Sequence, residues 1–139
     1  MRGNTIYLDA PERTQDLLNV KWSLRSAGYV IGSTWHENEA LTSRLTFREH
    51  WNACSMGQLQ ICDSLVVICG NDGRCLPELA MIAGFALARG MRVFWVGSPI
   101  EALRSFLAVQ QFNTAADLER HIAQQTYSQS IATEAPLAA

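Results

Sequence analysis

The stretch Ser64-Leu-Val-Val-Ile-Cys69 decides the fold class of this chain. Every position from Leu65 to Cys69 is apolar, whereas a strand with one face in water alternates apolar and polar side chains. Such a run is typical of a strand in the middle of a parallel sheet that helices cover on both faces. The turn signal Gly70-Asn-Asp-Gly73 follows, and Pro77 then stands where the first turn of a helix is expected. The stretch therefore predicts a central β-strand and a helix that covers it.

On either side of this strand, short β-type runs alternate with segments of helical periodicity. The predicted strands are Thr5–Asp9 and residues 29–35, 64–69, 91–96 and 107–112. The predicted helices cover residues 17–27, 46–63, 79–88 and 114–125, and a short helix follows Gly97. Pro77 stands in the first turn of the helix that continues over residues 79–88. Strands joined by helices in this order require right-handed crossovers, which give a parallel sheet with helices on both faces. We therefore expect a single-domain, doubly wound α/β fold with a five-stranded parallel sheet in the flavodoxin-like order 2-1-3-4-5.

The composition limits the classes of partner. The chain has 139 residues, which suits one domain, and a formal net charge of -2. This charge offers no basic surface for a nucleic-acid backbone or for anionic lipid, so we expect no nucleic-acid and no membrane partner. No apolar run approaches the roughly 20 residues of a transmembrane helix, and Met1-Arg-Gly-Asn4 lacks an apolar signal core, which predicts a cytoplasmic protein. We assign residues 1–126 to the domain and expect residues 127–139 to form a flexible tail, because they show no periodicity.

The sequence contains no recognised cofactor or metal motif. Its four cysteines and three histidines show no metal-ligand spacing, so neither a metal site nor a disulfide framework is expected. The segment after the first strand, Asp9-Ala-Pro-Glu-Arg-Thr14, contains no glycine, so it lacks both a dinucleotide fingerprint and a phosphate-binding P-loop. No GxSxG nucleophile elbow occurs either. We therefore expect no cofactor.

The predicted fold places a ligand crevice at the carboxyl ends of the first and third strands, which here means residues 9–14 and 70–78. Asp72 and Glu78 supply two carboxylates there. Glu78 follows Pro77 in the first turn of a helix, where free amides and the helix dipole favour an ionised carboxylate. Paired carboxyl groups are typical of glycosyl transfer, in which one attacks the anomeric carbon. A structural alternative also stands, because Glu is common in first turns and Asn-Asp-Gly is a common turn.

Four stretches, in order, resemble the nucleoside 2-deoxyribosyltransferase superfamily, which includes the nucleoside 5'-monophosphate N-glycosidases. The resemblance runs from Ile6 to about Leu118. The stretches that carry it are Ile6-Tyr-Leu-Asp-Ala-Pro11, Cys62-Asp-Ser-Leu-Val-Val-Ile68, Asp72-Gly73 through Glu78-Leu79, and Gly84-Phe-Ala-Leu-Ala-Arg-Gly90 with Arg92-Val93. The similar family patterns are the opening YLAGP, the strand aDxxv, the acidic segment that leads to the catalytic glutamate, and GxAxAxGKxV.

The resemblance implies cleavage of an N-glycosidic bond, or deoxyribosyl transfer, on a nucleoside or nucleotide through a glutamate nucleophile. Carried over, the catalytic roles fall on Glu78 as nucleophile, Asp72 as the acidic residue that binds the base, and Tyr7 as the tyrosine beside the nucleophile. If the helix is aligned at Gly84 instead, the family's glutamate falls on Ile82, one helical turn after Glu78. The resemblance also implies a homo-oligomer, a dimer or higher, in which a neighbouring subunit completes each site.

The candidate substrate-binding residues surround the same crevice: Asp9, Arg13, Trp35, His36, Asn71 and Gly73. Trp35 ends the second strand and can stack on a base, although a tryptophan in such a place lines the core at least as often. Arg13 can compensate in part for the missing phosphate-binding glycines. Phe47, Trp51 and Met56 add apolar surface on the second long helix, which also favours an oligomer.

Three functions remain possible for such a chain. The first is the nucleoside-processing enzyme, and the second is a module of the same fold that binds a nucleotide or nucleoside without turnover. The third is a protein-interaction domain that keeps only the scaffold. They are distinguished by whether Glu78 projects into the crevice within reach of Tyr7 and Asp72.

Overall fold

The computed structural model describes residues 4–38, 55–69, 77–99 and 101–125. Its elements are β1 (Thr5–Asp9), α1 (Gln15–Ser26), β2 (Val30–Ile31), α2 (Met56–Gln60), β3 (Ser64–Ile68), α3 (Pro77–Ala88), β4 (Arg92–Val96), α4 (Glu101–Arg104), β5 (Val109–Phe112) and a last helix, α5, over residues 115–125. A short 3-10 turn, Trp35–Glu37, follows β2. The tail predicted over residues 127–139 lies outside the described residues.

The five strands are all parallel and stand in the order β2-β1-β3-β4-β5, which confirms the predicted doubly wound, flavodoxin-like α/β fold. β1 pairs with β3 from Ile6 opposite Ser64 to Asp9 opposite Val67. Every residue of β3 is buried, as its uninterrupted apolar sequence predicts. The carboxyl ends of β1 and β3 therefore lie side by side in the interior of the sheet.

Helices cover the sheet on both faces, as right-handed connections in this strand order require. α1 and α5 share one face, where the Ser23 hydroxyl donates a hydrogen bond to the Glu119 carboxylate at 2.8 Å. On the other face, the Ser55 N–H donates to the Tyr7 hydroxyl at 3.2 Å, and α3 packs on β3 and β4. Tyr7 therefore marks the face that carries α3. Within the described ranges, no helix has the length and apolar character that crossing a membrane requires.

α1 forms where the helical periodicity predicts it. The Thr14 hydroxyl caps the helix by accepting a hydrogen bond from the Leu17 N–H at 3.2 Å. Leu17, Val20 and Leu24 recur at helical spacing and are buried in the core. The chain then turns at Gly28, whose φ of +95° favours glycine over residues with a Cβ. The predicted helix and its glycine stop are confirmed.

The second strand is shorter than predicted. The β-type run over residues 29–35 predicts a strand of that length, but β2 ends at Ile31. Ser33 and Trp35 instead hold β1 through their side chains, so the chain leaves the ladder early.

The single long helix predicted over residues 46–63 is wrong in its second half. Ser55 is extended and caps α2, with its hydroxyl accepting from the Gln58 N–H at 3.1 Å. The capping preference of serine outweighs the apolar periodicity at this point. Met56 packs partly against the core, whereas Phe47 and Trp51 lie outside the described residues, so the predicted oligomer stays a prediction.

We predict that Gly32→Ala destabilises the fold. A Cβ at Gly32 would lie 2.5 Å from the Cys62 Sγ and 3.2 Å from the Thr5 Cγ2, so neighbouring atoms would have to shift. The free energy of unfolding, measured by urea denaturation, should fall by about 1–3 kcal/mol. Gly84→Ala is the matched control, because a Cβ at that exposed helical position has nothing within 4 Å. The control should gain about 0.5–1 kcal/mol. A Gly32→Ala protein as stable as the parent would contradict the prediction.

Candidate active site

The candidate site lies at the carboxyl edge of the sheet, around the ends of β1 and β3. The described part of the chain brings six predicted site residues to this half of the sheet: Tyr7, Asp9, Arg13, Trp35, His36 and Glu78. The other three predicted residues lie outside the described ranges: Asn71, Asp72 and Gly73. Among the described residues, no three His, Cys, Asp or Glu side chains form a group that could hold a metal ion.

Glu78 is a buried carboxylate at the amino end of α3. It is 7% exposed and stands in the first turn of the helix, directly after Pro77. Ile82 and Ala86 follow at intervals of one helical turn and are also buried, so Glu78 belongs to the stripe that α3 presents to the sheet. No described residue forms a hydrogen bond or an ion pair with its carboxylate. This carboxylate is therefore not committed to a structural contact within the described chain.

The burial of α3 bears on which residue takes the place of the family's glutamate. Ile82, the position favoured by an alignment at Gly84, lies inside the apolar core at 1% exposure. Glu78 lies on the same stripe, one turn closer to the carboxyl edge. Gly84 is exposed, with open space around it, so no contact requires glycine there. The packing gives no reason to align the helix at Gly84, and Glu78 is the carboxylate that α3 offers to the crevice.

Tyr7 and Asp9 lie on the sheet face that carries α3. Tyr7 is buried, and its hydroxyl accepts the hydrogen bond from the Ser55 N–H. Asp9 follows two positions later, which in a strand places it on the same face, and it is fully buried. A second carboxylate thus lies at the same edge and on the same face as Glu78.

Side chains complete the pairing of β1 at this edge. The Gly32 N–H donates to the Ile6 carbonyl at 2.8 Å, which is the last main-chain bond between β1 and the β2 segment. Beyond it, the Leu8 N–H donates to the Ser33 Oγ at 2.9 Å, and the Leu8 carbonyl accepts from the Trp35 Nε1–H at 2.8 Å. Trp35 is consequently buried, with its indole N–H used by β1. Its stacking on a base stays a prediction.

His36 is a fully buried histidine next to this pairing. Its Nε2 lies 2.9 Å from the Ser33 Oγ, while no described group pairs with its Nδ1. Burial lowers the pKa of His36 to about 4, and the nearby Lys21 charge acts in the same direction. The imidazole is therefore neutral at physiological pH, and it can accept or donate a hydrogen bond without bringing a charge to the site.

The segment between β1 and α1 carries Arg13, which is tied to the same turn. The Arg13 Nε donates to the His36 carbonyl at 2.7 Å, which fixes the guanidinium beside residues 35–37. The amino end of α1 is already occupied, because the Thr14 hydroxyl caps it and Asp16 brings a negative charge to its first turn. A buried phosphate would have to compete with both groups for the helix amides.

The sequence patterns do not single out Ser33, Ser55 or Trp95. Trp95 is fully buried in β4, and the strand register places it in one row with Val67 and Asp9. No described acceptor pairs with its Nε1–H. The sequence could have indicated Trp95, because it is a tryptophan near the carboxyl end of an apolar strand. The serine contacts have no signal, because they join residues 25 and 48 positions apart.

A comparison of the chain with protein-family models, with curated proteins and with solved structures found no match. The resemblance to the deoxyribosyltransferase superfamily therefore stays a prediction, and the site is interpreted from its own geometry.

We predict that His36 makes the fold less stable in acid. The unfolded chain has the ordinary histidine pKa of 6.5 and the folded chain a value of about 4, so the unfolded state takes up a proton first as the pH falls. Stability should fall through this window by about 3 kcal/mol in urea denaturation. His36→Gln, which can still pair with Ser33, should flatten the profile. Identical profiles for the parent and His36→Gln would contradict this prediction.

Proposed function

We propose that the protein breaks the N-glycosidic bond of a nucleoside or nucleotide through the Glu78 carboxylate, by hydrolysis or by transfer of the sugar. The observation that carries the proposal is the position of Glu78, buried at the carboxyl edge of the sheet with no partner among the described residues. Buried carboxylates are usually paired, because removing a charge from water is unfavourable. A carboxylate kept in this state is typical of a group that reacts or binds a ligand.

A carboxylate in this place can act as a nucleophile. One Glu78 oxygen attacks the anomeric carbon, the N-glycosidic bond breaks, and the base leaves with the electron pair and takes up a proton. Water or a second base then attacks the same carbon, gives up a proton to solvent, and releases the Glu78 carboxylate. The first step needs the carboxylate form of Glu78, and the free amides at the amino end of α3 stand next to it.

The surroundings of Glu78 support this assignment. Asp9 lies at the same edge and on the same face as Glu78, and Tyr7 lies on that face two residues earlier in β1. The neutral His36 is buried behind this edge of the sheet and adds no charge to it. In the proposed enzyme, Asp72 binds the base and a neighbouring subunit completes the site.

The charges around the crevice favour an uncharged nucleoside over its 5'-monophosphate. Asp9, Glu78 and Asp16 place three carboxyl groups at this end of the molecule, and Arg13 is held beside residues 35–37 by its bond to the His36 carbonyl. A phosphate brings almost two negative charges and normally recruits glycine amides at a helix end free of carboxylates. The nucleoside is therefore the proposed substrate class.

We predict that Glu78→Gln abolishes release or exchange of the base. The amide keeps the size of the side chain but is not a nucleophile, so turnover should fall by about 100-fold or more. Chromatography of the bases released from nucleoside mixtures measures it, and circular dichroism verifies the fold. Glu101→Gln is the matched control, because Glu101 also stands in the first turn of a helix that follows a strand, with 91% of its side chain exposed. The control should keep the turnover of the parent.

Each other outcome of this experiment contradicts part of the proposal. Unchanged turnover in Glu78→Gln removes Glu78 from the mechanism. A parent that releases no base from any nucleoside or monophosphate, yet binds one of them in calorimetry, is a binding module of the same fold. A parent that neither turns over nor binds them favours a protein-interaction domain.

We predict tighter binding of a nucleoside than of the matched 5'-monophosphate, by about tenfold, because the phosphate meets the carboxylates described above. Calorimetric titration of matched pairs is the measurement. Arg13→Ala should leave the preference in place, and Arg25→Ala, on the exposed side of α1, controls for the overall charge. Tighter binding of the monophosphate that Arg13→Ala weakens would contradict the prediction and favour a nucleotide N-glycosidase.

A further inference from the structure

A cavity of about 150 Å3 lies at the amino edge of the sheet, at the opposite end of the strands from Glu78. It lies between the sheet and the two helices α1 and α5. Its apolar walls come from Ile6, Val66 and Phe94 on the strands and from Leu24, Leu118 and Ile122 on the helices. Apolar cavities of about this size take up benzene in other proteins, so an apolar side chain of similar size or smaller fits here.

Ser64 brings an unpaired hydroxyl to this cavity. The strand register places it between Ile6 and Arg92, on the sheet face that α1 and α5 cover. Ser64 is 6% exposed, and no described residue forms a hydrogen bond with its hydroxyl. The hydroxyl oxygen is not fully enclosed by protein atoms, in contrast to the His121 Nε2 in the same wall. A buried hydroxyl is normally paired, so a ligand in the cavity can supply the partner that this one lacks.

Two opposite charges stand at the rim of the cavity. Asp63 and Arg92 both line the cavity and are exposed. The Arg92 guanidinium lies 5.5 Å from the centre of the Phe94 ring, and because Phe94 is a wall residue this contact holds the cation beside the cavity. The Asp63 Oδ2 accepts a hydrogen bond from the Thr5 N–H at 3.1 Å, while no described residue pairs with its Oδ1. Both charged groups can therefore reach a ligand.

These two charges do not neutralise each other directly. Among the described residues, neither Asp63 nor Arg92 takes part in an ion pair. A gap between opposite charges at one rim suits a ligand that carries both signs, with a carboxylate on the guanidinium and an ammonium on the Asp63 carboxylate. A ligand with a single charge would be repelled by one of the two groups. The rim therefore favours a zwitterion.

We propose that this cavity binds a free α-amino acid with an apolar side chain. The α-carboxylate accepts hydrogen bonds from the Arg92 guanidinium and the Ser64 hydroxyl, and the α-ammonium donates to the Asp63 carboxylate. The side chain fills the apolar cavity, and its removal from water adds to the affinity. This site is separate from Glu78, and it does not depend on the proposed function.

Titration of the full chain with L-leucine tests the proposal, followed by protein NMR and by thermal unfolding. Leucine should bind with a Kd of about 1 mM or tighter and raise the Tm. Three analogues each lack one part of leucine: isocaproate lacks the ammonium, isopentylamine lacks the carboxylate, and glycine lacks the side chain. Each analogue should bind about fivefold more weakly or worse, because each leaves one part of the site unused.

Two variants of exposed residues test which group binds which end of the ligand. Asp63→Asn keeps an oxygen for the Thr5 N–H but removes the charge, so it should weaken leucine about fivefold without weakening isocaproate. Arg92→Gln should weaken leucine and isocaproate alike, also about fivefold. Arg89→Gln is the matched control, because the Arg89 guanidinium also lies over a phenylalanine ring, 5.8 Å from that of Phe85, but outside the cavity. The control should change neither affinity.

Three outcomes would overturn the proposal. The first is that leucine does not bind at about 10 mM. The second is that isocaproate binds as tightly as leucine, since the ammonium would then not be recognised. The third is that Asp63→Asn or Arg92→Gln leaves the affinity for leucine at the value of the parent.

Discussion

The pairing of the Leu8 main chain is the constraint on which the candidate crevice depends. β1 is an interior strand, so its N–H and carbonyl groups are buried and need partners on both sides. β2 ends too early to supply them, and the Ser33 hydroxyl and the Trp35 indole take its place. These two bonds bring the chain around the sheet edge and bury His36 against it, and the carbonyl of His36 in turn holds Arg13. One wall of the crevice is therefore built from side-chain hydrogen bonds rather than from a strand.

The parts of the fold that were predictable are those in which one periodicity dominates. β1, β3, α1 and α3 agree with the sequence within about two residues, because burial on two faces or on one helical stripe leaves a clear pattern. The pattern fails where a side chain competes with the main chain. Ser55 interrupts an apolar helical period by capping, and Ser33 ends a β-type run by bonding to the neighbouring strand. The spacing of apolar residues in the sequence predicts neither of these serine hydrogen bonds.

The strand order was predictable, and with it the place where a crevice is expected. The strand order places a crevice beyond β1 and β3, and the spacing of Glu78, Ile82 and Ala86 already puts the carboxylate on the sheet-facing stripe. The spacing of apolar residues does not predict the contact of the Tyr7 hydroxyl with the Ser55 N–H. It does not predict the burial that keeps His36 neutral either. Both depend on the approach of segments that are far apart in the sequence.

The order of the strands also bears on when the chain can fold during synthesis. β1 leaves the ribosome early, but its interior position requires β3, and the face that carries α1 stays open until α5 has been made. Ile6, Val66 and Phe94 lie on that face, so part of the apolar sheet surface stays uncovered until α5 is made. Chains in this state are prone to aggregate and are typical clients of chaperones. The last described helix is therefore what ends this exposure, and slow or interrupted translation before it would prolong the aggregation-prone state.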